Sequence, residues 1–301
     1  MPHSTIEKVL NKETVPLRTG PPTREELLVH YPAKFTWDQL KTFVNSGSVP
    51  HRHPAIEQAI FIHFTTISDL GLLKRDRALQ KRYDDWAVGV VKEHGSIVNY
   101  LTNYRLRWGE RDTSSLLTSS LEEGPLTVPS EPNNAEPLSG DSQPQSVPPY
   151  FCWETPKKLI SIIQNDWPYS VPPEIEHTLI WTKAPIYHPE LVHPSITARV
   201  DQDGLWGFTG LDSPPPSPSL LPNCLPSLAE WGITKEKMIT SAPPTPEEAK
   251  LLHRAGSEVH RYVQKRWNEN EWETAWFVNP PRLQSVPGLA HIHVFARRKQ
   301  A

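Results

Sequence analysis

The run His291-Ile292-His293-Val294-Phe295-Ala296-Arg297 carries the strongest candidates for chemistry in this sequence. Side chains alternate between the two faces of a strand, so His291, His293 and Arg297 point the same way, opposite the apolar residues between them. Neutral imidazole suits proton transfer or zinc, and a guanidinium binds phosphate or carboxylate with two hydrogen bonds. We therefore predict a site here, with His291 and His293 as the catalytic acid or base if there is catalysis. No second His-x-His pair or cysteine set accompanies them, so we predict no metal site.

Further ligand-binding candidates lie in two other stretches. The loop Asn279-Pro280-Pro281-Arg282 is stiffened by proline and displays Asn279 and Arg282, and the alternative is an ordinary turn capped by Asn279. On another strand, His177 and Lys183 frame Trp181, a ring on which sugars or bases stack but which is more often part of a core. The full predicted ligand-binding set is His177, Trp181, Lys183, Asn279, Arg282, Gln284, Ser285 and Arg297.

The residues ahead of the two histidines resemble the histidine-triad hydrolases, in which a Gln-Ser/Thr-Val run precedes alternating histidines. Here the run is Gln284-Ser285-Val286. Two extra residues intervene, however, and Leu289 stands at the position of the first histidine, so no triad results. Short motifs of this kind often match by chance, and we assign no shared mechanism from it.

Composition limits the classes of function. The chain has 301 residues, a net charge of -3 and no basic stripe, which gives no electrostatic case for nucleic acid or an anionic membrane. No apolar run approaches the length of a membrane span. The 2 cysteines form no CxxC motif and suit free thiols in a reducing compartment. We expect a cytoplasmic protein, with the nucleus as the open alternative.

Helix and strand signals predict an α+β fold. Capping residues precede apolar periodic stretches at Thr23, Thr36, Ser96 and Thr245, and a further helix is predicted from Asp76 to His94. Thr155-Pro156 predicts the start of a short apolar helix that reaches Ile163. Strands are predicted near 177–183, 275–278 and 290–297. We expect a helical N-terminal part packed on a small, mainly antiparallel sheet.

Long disordered insertions are expected within this domain, because hydrophobic content is only 37% and there are 33 prolines. The predicted division is a tail at 1–22, the helical part at 23–112, a disordered linker at 113–150, a helix and strand of the core at 151–186, a proline-rich loop at 187–244, and a helix with the C-terminal strands at 245–299. The polyproline-type segment 213–218 is a candidate ligand for a protein module, with Ser213 and Ser217 as phosphorylation sites.

Five segments carry a resemblance to a known family: 35–41, 94–109, 165–169, 177–183 and 276–294. In their order and residue types they resemble the fungal N-acetylglucosamine-induced protein 1 family, a domain of unknown function. The resemblance implies no catalytic residues, but the family's name implies a sugar or nucleotide sugar as the ligand.

Residues 48–68 depart from that family, in which the helix after Trp37 leads quickly to the run 69–75. We hypothesise that 48–68 is translated intron sequence retained in a gene model. In that case His51, His53 and His63 have no function. Finding the corresponding codons in mature mRNA would contradict the hypothesis.

Two functions follow as alternatives. In the first, the protein binds or processes a small anionic ligand such as a sugar phosphate or nucleotide sugar, and the histidines and arginines converge in one concave pocket. In the second, it is a non-catalytic regulatory or adaptor protein in the response to N-acetylglucosamine, and the histidine face is flat or buried. Whether it is an enzyme stays open, and the sequence does not identify a cofactor.

Overall fold

An antiparallel sheet of five strands is the framework of the fold. A computed structural model describes residues 10–46, 49–50, 72–110, 148–239, 241–281, 284 and 289–299. The strands are β1 (Val49–Pro50), β2 (Ile160–Gln164), β3 (Ile175–Thr182), β4 (Leu205–Thr209), β5 (Met238–Ile239), β6 (Trp272–Val278) and β7 (Ala290–Arg298). Five of them form the sheet in the order β2-β3-β7-β6-β4, and β1 pairs with β5. The predicted α+β class with a mainly antiparallel sheet is confirmed.

Seven α-helices accompany the sheet in the described ranges. They are α1 (Arg24–His30), α2 (Trp37–Ser46), α3 (Arg77–His94), α4 (Ile97–Tyr100), α5 (Thr197–Asp203), α6 (Leu221–Cys224) and α7 (Pro246–Arg266). Predicted caps are confirmed at α1 and α7, where Thr23 and Thr245 form capping boxes with Glu26 and Glu248. Within the described residues, no helix is long and apolar enough to cross a membrane.

Helix α7 covers one face of the sheet. Its buried side chains Ala255, Val259 and Val263 recur every fourth residue and therefore form one stripe along the helix. We call the sheet surface beneath them the α7 face, and its buried residues are Ile180, Trp276, Val278, Ile292, Val294 and Ala296. This stripe and this surface form one apolar core.

The opposite sheet face is also covered. Trp37, Leu40 and Phe43 of α2 share a buried cluster with Phe277 of β6 and Phe295 of β7. The spacing of the three α2 residues places them on one side of the helix. The sheet is therefore buried on both faces at its centre.

The helix predicted between Thr155 and Ile163 is wrong. Only Lys157–Leu159 form a short 3-10 turn, and the following residues form β2, paired with β3 from Ile160↔Thr182 to Gln164↔Thr178. Isoleucine is β-branched and favours an extended backbone where a neighbouring strand supplies hydrogen bonds. A short apolar run does not distinguish the two states by itself.

The proline-rich loop predicted at 187–244 is also wrong in part. This range contains α5, α6 and the edge strand β4, which pairs with β6 through Phe208↔Ala275. Several of its prolines occupy the first turn of a short helix, where the missing N–H is not needed. The predicted insert, apart from 49–50, and residues 113–147 of the predicted linker lie outside the described residues.

Candidate functional site

Strand register brings four polar residues from separate stretches of the chain into one row. Ser161 of β2 lies opposite Trp181 of β3, and Trp181 lies opposite His291 of β7. Val278 pairs with Ile292 at the end of β6, so the next residue, Asn279, comes beside His291. Directly opposed residues in antiparallel strands point to the same face. The row therefore crosses four neighbouring strands.

Two more histidines lie beside this row. His293 follows two residues along β7, and His177 of β3 is one step farther, opposite Phe295. We call the six residues Ser161, His177, Trp181, Asn279, His291 and His293 the histidine face. Their placement confirms the predicted alternation along β7 and the shared side of His177 and Trp181.

The histidine face is buried, whereas the sequence predicted that it would face something polar. His291 is 3% exposed and stacks on Trp181 with ring centroids 4.3 Å apart. His293 is 2% exposed and stacks on Phe277 at 4.4 Å. The two imidazoles are themselves 4.9 Å apart. Aromatic stacking thus fixes both rings.

A chain of hydrogen bonds sets the tautomers of two histidines. Asn165 Oδ1 accepts from the Trp167 backbone N–H at 3.0 Å, which leaves Asn165 Nδ2 to donate to His177 Nδ1 at 3.3 Å. His177 therefore carries its proton on Nε2 and donates it to His293 Nδ1 at 3.1 Å. In its neutral form His293 must then hold its proton on Nε2. This nitrogen is a hydrogen-bond donor, not a base.

All three histidines are held neutral. Burial lowers the pKa of His291 to about 4, and the Leu289 backbone works in the opposite direction. The pKa values of His177 and His293 lie well below 6.5, chiefly through burial and further through nearby Arg75 and His291. Desolvation disfavours the charged imidazolium. At neutral pH the face therefore carries imidazoles without charge.

Most polar groups of this face have no hydrogen-bond partner within the described part of the chain. The buried atoms concerned are Ser161 Oγ, Trp181 Nε1, both side-chain atoms of Asn279, His291 Nδ1 and His293 Nε2. Leaving a buried polar group unpaired costs roughly 1–3 kcal/mol, and native proteins have few such groups. Three of these residues, Trp181, Asn279 and His293, present N–H donors. Such a patch suits a ligand rich in acceptor oxygens.

Tyr187 and Gly204 position Asn279, and sequence reasoning identified neither role. The Tyr187 hydroxyl donates to the backbone oxygens of Val278 and Asn279 at 3.0 and 2.8 Å. Burial raises the pKa of Tyr187 well above 10, so it stays a donor. Gly204 has φ +76°, and a Cβ there would lie 2.3 Å from the Val278 oxygen. Only glycine fits this approach.

The predicted cations do not converge on the row. Arg297 pairs with Glu273 at 2.6 Å, and its guanidinium lies over the Trp37 ring. Lys183 is exposed, with its ammonium over the ring of Trp108. Gln284 is half-buried, while Arg282 and Ser285 lie outside the described residues.

Arg75 is a buried cation that sequence reasoning missed. It is 7% exposed, donates to the Trp167 backbone oxygen at 2.8 Å and to Gln80 at 2.9 Å, and forms no ion pair within the described ranges. Its guanidinium lies over the ring of Tyr169, which stacks on His177 at 5.0 Å. This stack brings a positive charge close to the histidines. Its only signal in the sequence is an arginine within a basic run.

No group of three or more His, Cys, Asp or Glu side chains arranged for a metal ion occurs among the described residues. His177 and His293 are engaged with each other through the nitrogens that would face a shared ion.

Comparison with protein families gives a match to the model of a family described as Protein of unknown function (DUF3605). It covers residues 61–201 and 236–297, about two thirds of the chain. The matched ranges contain all six residues of the histidine face, and segment 35–41 precedes them. Neither the curated proteins nor the solved structures gave a match.

Proposed function

We propose that this chain, which belongs to the DUF3605 family of proteins of unknown function, binds a small oxygen-rich ligand at the histidine face. The ligand class is a sugar phosphate or a nucleotide sugar. The resemblance to a family named for induction by N-acetylglucosamine supports the sugar part. The cytoplasm is the compartment in which we expect this binding.

The observation that carries the proposal is the row of polar groups across four strands that have no partner within the ranges the structure describes. Trp181, Asn279 and His293 offer N–H groups, and Asn279 and Ser161 can also accept. Phosphoryl and sugar oxygens accept several hydrogen bonds at once. Buried neutral donors bind such oxygens strongly, because water does not compete there.

Processing of the ligand would depend on the two histidines in different ways. His293 presents a fixed Nε2–H, which suits stabilising charge on a ligand oxygen. His291, with a pKa of about 4, is a weak base at physiological pH, but its Nδ1 has no partner in the described part of the chain, so it is the histidine that can accept a proton from the ligand. Asn165 and His177 act through His293 as positioning residues.

Ligand entry requires movement, since the row is buried. Leu289 precedes β7 and packs in one cluster with Trp181 and Leu106. We expect displacement of Leu289 to accompany binding. Because the buried row excludes water, each hydrogen bond between a neutral imidazole and the ligand is stronger than it would be at the surface.

A non-catalytic regulatory or adaptor protein is the second candidate. The burial of the histidine face favours it, because a buried face can serve packing alone. The segment 213–218 would then be a partner site, and most of its residues are exposed or half-buried. Under this function the unpartnered row has no ligand.

Isothermal titration calorimetry tests the proposal with UDP-N-acetylglucosamine and N-acetylglucosamine 6-phosphate. Free N-acetylglucosamine and inorganic phosphate, titrated separately, show which part is recognised. We expect at least one of the two phosphorylated ligands to bind, and His293→Phe and Asn279→Leu to weaken it at least about tenfold. Leucine keeps the branched shape of asparagine and phenylalanine keeps an aromatic ring, while both substitutions remove the donors.

Exposed residues provide matched controls. His253→Phe and Asn270→Leu make the same chemical changes on the surface and should leave affinity unchanged. Absence of binding by the wild-type protein to all four compounds would favour the adaptor function. Binding that is unchanged in both buried variants would contradict the assignment to the histidine face.

A further inference from the structure

A cleft runs along the outer edge of β4, between α7 and residues 211–215. Its volume is about 700 Å³, which lies within the range of small-molecule pockets. Strand β6 separates β4 from β7, so the cleft and the histidine face are different parts of the sheet. Nothing in the proposed function uses it.

The walls of the cleft are largely apolar. Leu205 of β4 and Leu252 of α7 line it on one side, and Pro214 with Pro215 forms the facing wall. Proline rings provide flat, rigid surfaces. Such walls favour a planar ligand over a flexible one, because less conformational freedom is lost.

Trp276 also lines the cleft, packed against two glycines. A Cβ on Gly207 would lie 2.6 Å from the indole ring, and one on Gly256 would lie 3.0 Å from it. Trp276 is 1% exposed, and its Nε1 has no hydrogen-bond partner in the part of the chain that the structure describes. A buried indole N–H normally has an acceptor. An acceptor atom on a ligand would satisfy this donor.

Two imidazoles lie on the same side. His260 and His253 have ring centroids 6.1 Å apart, and His260 is 6.4 Å from Trp276. Among the described lining residues, Asp212 carries the only formal charge, and its carboxylate pairs with Lys299 at 2.6 Å. The cleft thus offers polar contacts without an unpaired charge.

We infer that this cleft is a second ligand site, which takes an uncharged planar aromatic molecule with a hydrogen-bond acceptor. The acceptor lies toward Trp276 Nε1 and His260, and the ring system lies between Leu252 of α7 and the proline wall. This chemistry differs from that of the oxygen-rich ligand proposed for the histidine face.

Quinoline is a suitable probe, because it is planar, uncharged near neutral pH and carries one acceptor nitrogen. It is titrated into isotopically labelled full-length protein while the indole N–H signals are followed by NMR. The signal that disappears in Trp276→Phe belongs to Trp276. We expect this signal to shift saturably with quinoline.

Two variants fill the cleft from opposite walls at exposed positions, Ala249→Trp from α7 and Ser213→Trp from the facing segment. Each should weaken quinoline binding at least about tenfold. Ala78→Trp, an exposed position on α3, should leave it unchanged, as should His291→Phe. Absence of a saturable shift of the Trp276 signal, or wild-type affinity for quinoline in both filled variants, would overturn the inference.

Discussion

The two faces of the central sheet are buried to a similar degree, but they differ in how many polar side chains they bury. The α7 face consists of aliphatic residues and Trp276, packed against one amphipathic helix. The histidine face places within one patch five residues with polar atoms that have no hydrogen-bond partner among the described residues. Burial alone therefore does not explain the second face, since apolar side chains would fill the same volume at lower cost.

The difference extends to what each face does for stability. Aliphatic packing on the α7 face contributes through the area removed from water. The histidine face loses part of that gain to polar groups without partners. Proteins keep such groups where function requires them, and this is the physical reason for assigning ligand binding to one face and structural support to the other.

The largest expected effect is on the α7 face. Ile292→Ala removes a fully buried side chain from β7, one residue from each of the two histidines. We expect a loss of about 2–5 kcal/mol in the free energy of unfolding, through lost burial and a cavity. Urea denaturation measures it. Val88→Ala, which changes a residue 65% exposed, should cost less than about 0.5 kcal/mol. A small loss in Ile292→Ala would remove the structural role given to this face.

The next effect concerns pH and the histidine face. The folded-state pKa of His291 is about 4, below its ordinary value of 6.5, so the unfolded chain binds more protons between these values. Stability must then fall as pH decreases through this window, and is kept above it. The contribution of His291 is about 3 kcal/mol, from roughly 1.4 kcal/mol for each pH unit.

Urea denaturation at several pH values between 7 and 4 measures this contribution as the difference between wild-type protein and His291→Phe. The variant should lose less stability toward acid, although carboxylates titrate in both proteins. Equal pH dependence in both proteins would show that His291 is not buried in solution.

Sequence reasoning succeeded where local signals agree with the fold. Capping residues and helical spacing located α3 and α7, and alternation located β7 with the correct face for each side chain. The strand β2 was missed, because Ile160–Gln164 is extended only through its pairing with β3. That pairing partner is not visible in the run itself. In the same way, Pro194 and Pro218 indicated disorder in the sequence, but each occupies the first turn of a short helix.

The sequence predicted which residues belong to the candidate site better than it predicted their surroundings. His177, Trp181, Asn279, His291 and His293 were identified from strand pattern and loop type, and register brings them together. The sequence could not show that Arg297 pairs with Glu273, since the partner lies on another strand. Ser161 was assigned to the wrong element, and Arg75 reaches the histidines only through Tyr169. Long-range packing determines each of these outcomes.

The smallest expected effect concerns the hydrogen bond between His177 and His293 in the histidine face. His177→Leu leaves His293 Nδ1 without its donor, and His293→Phe leaves His177 Nε2–H without its acceptor. Each single change should cost about 1–3 kcal/mol, because a buried polar group loses its partner. The double variant removes both groups and should cost less than the sum by about 1–2 kcal/mol. Combining His177→Leu with Val259→Ala of α7 should instead be additive within about 0.5 kcal/mol. If the stability losses of the two histidine variants are additive, no hydrogen bond joins the two rings. The reason for placing the proton of neutral His293 on Nε2 would then be removed.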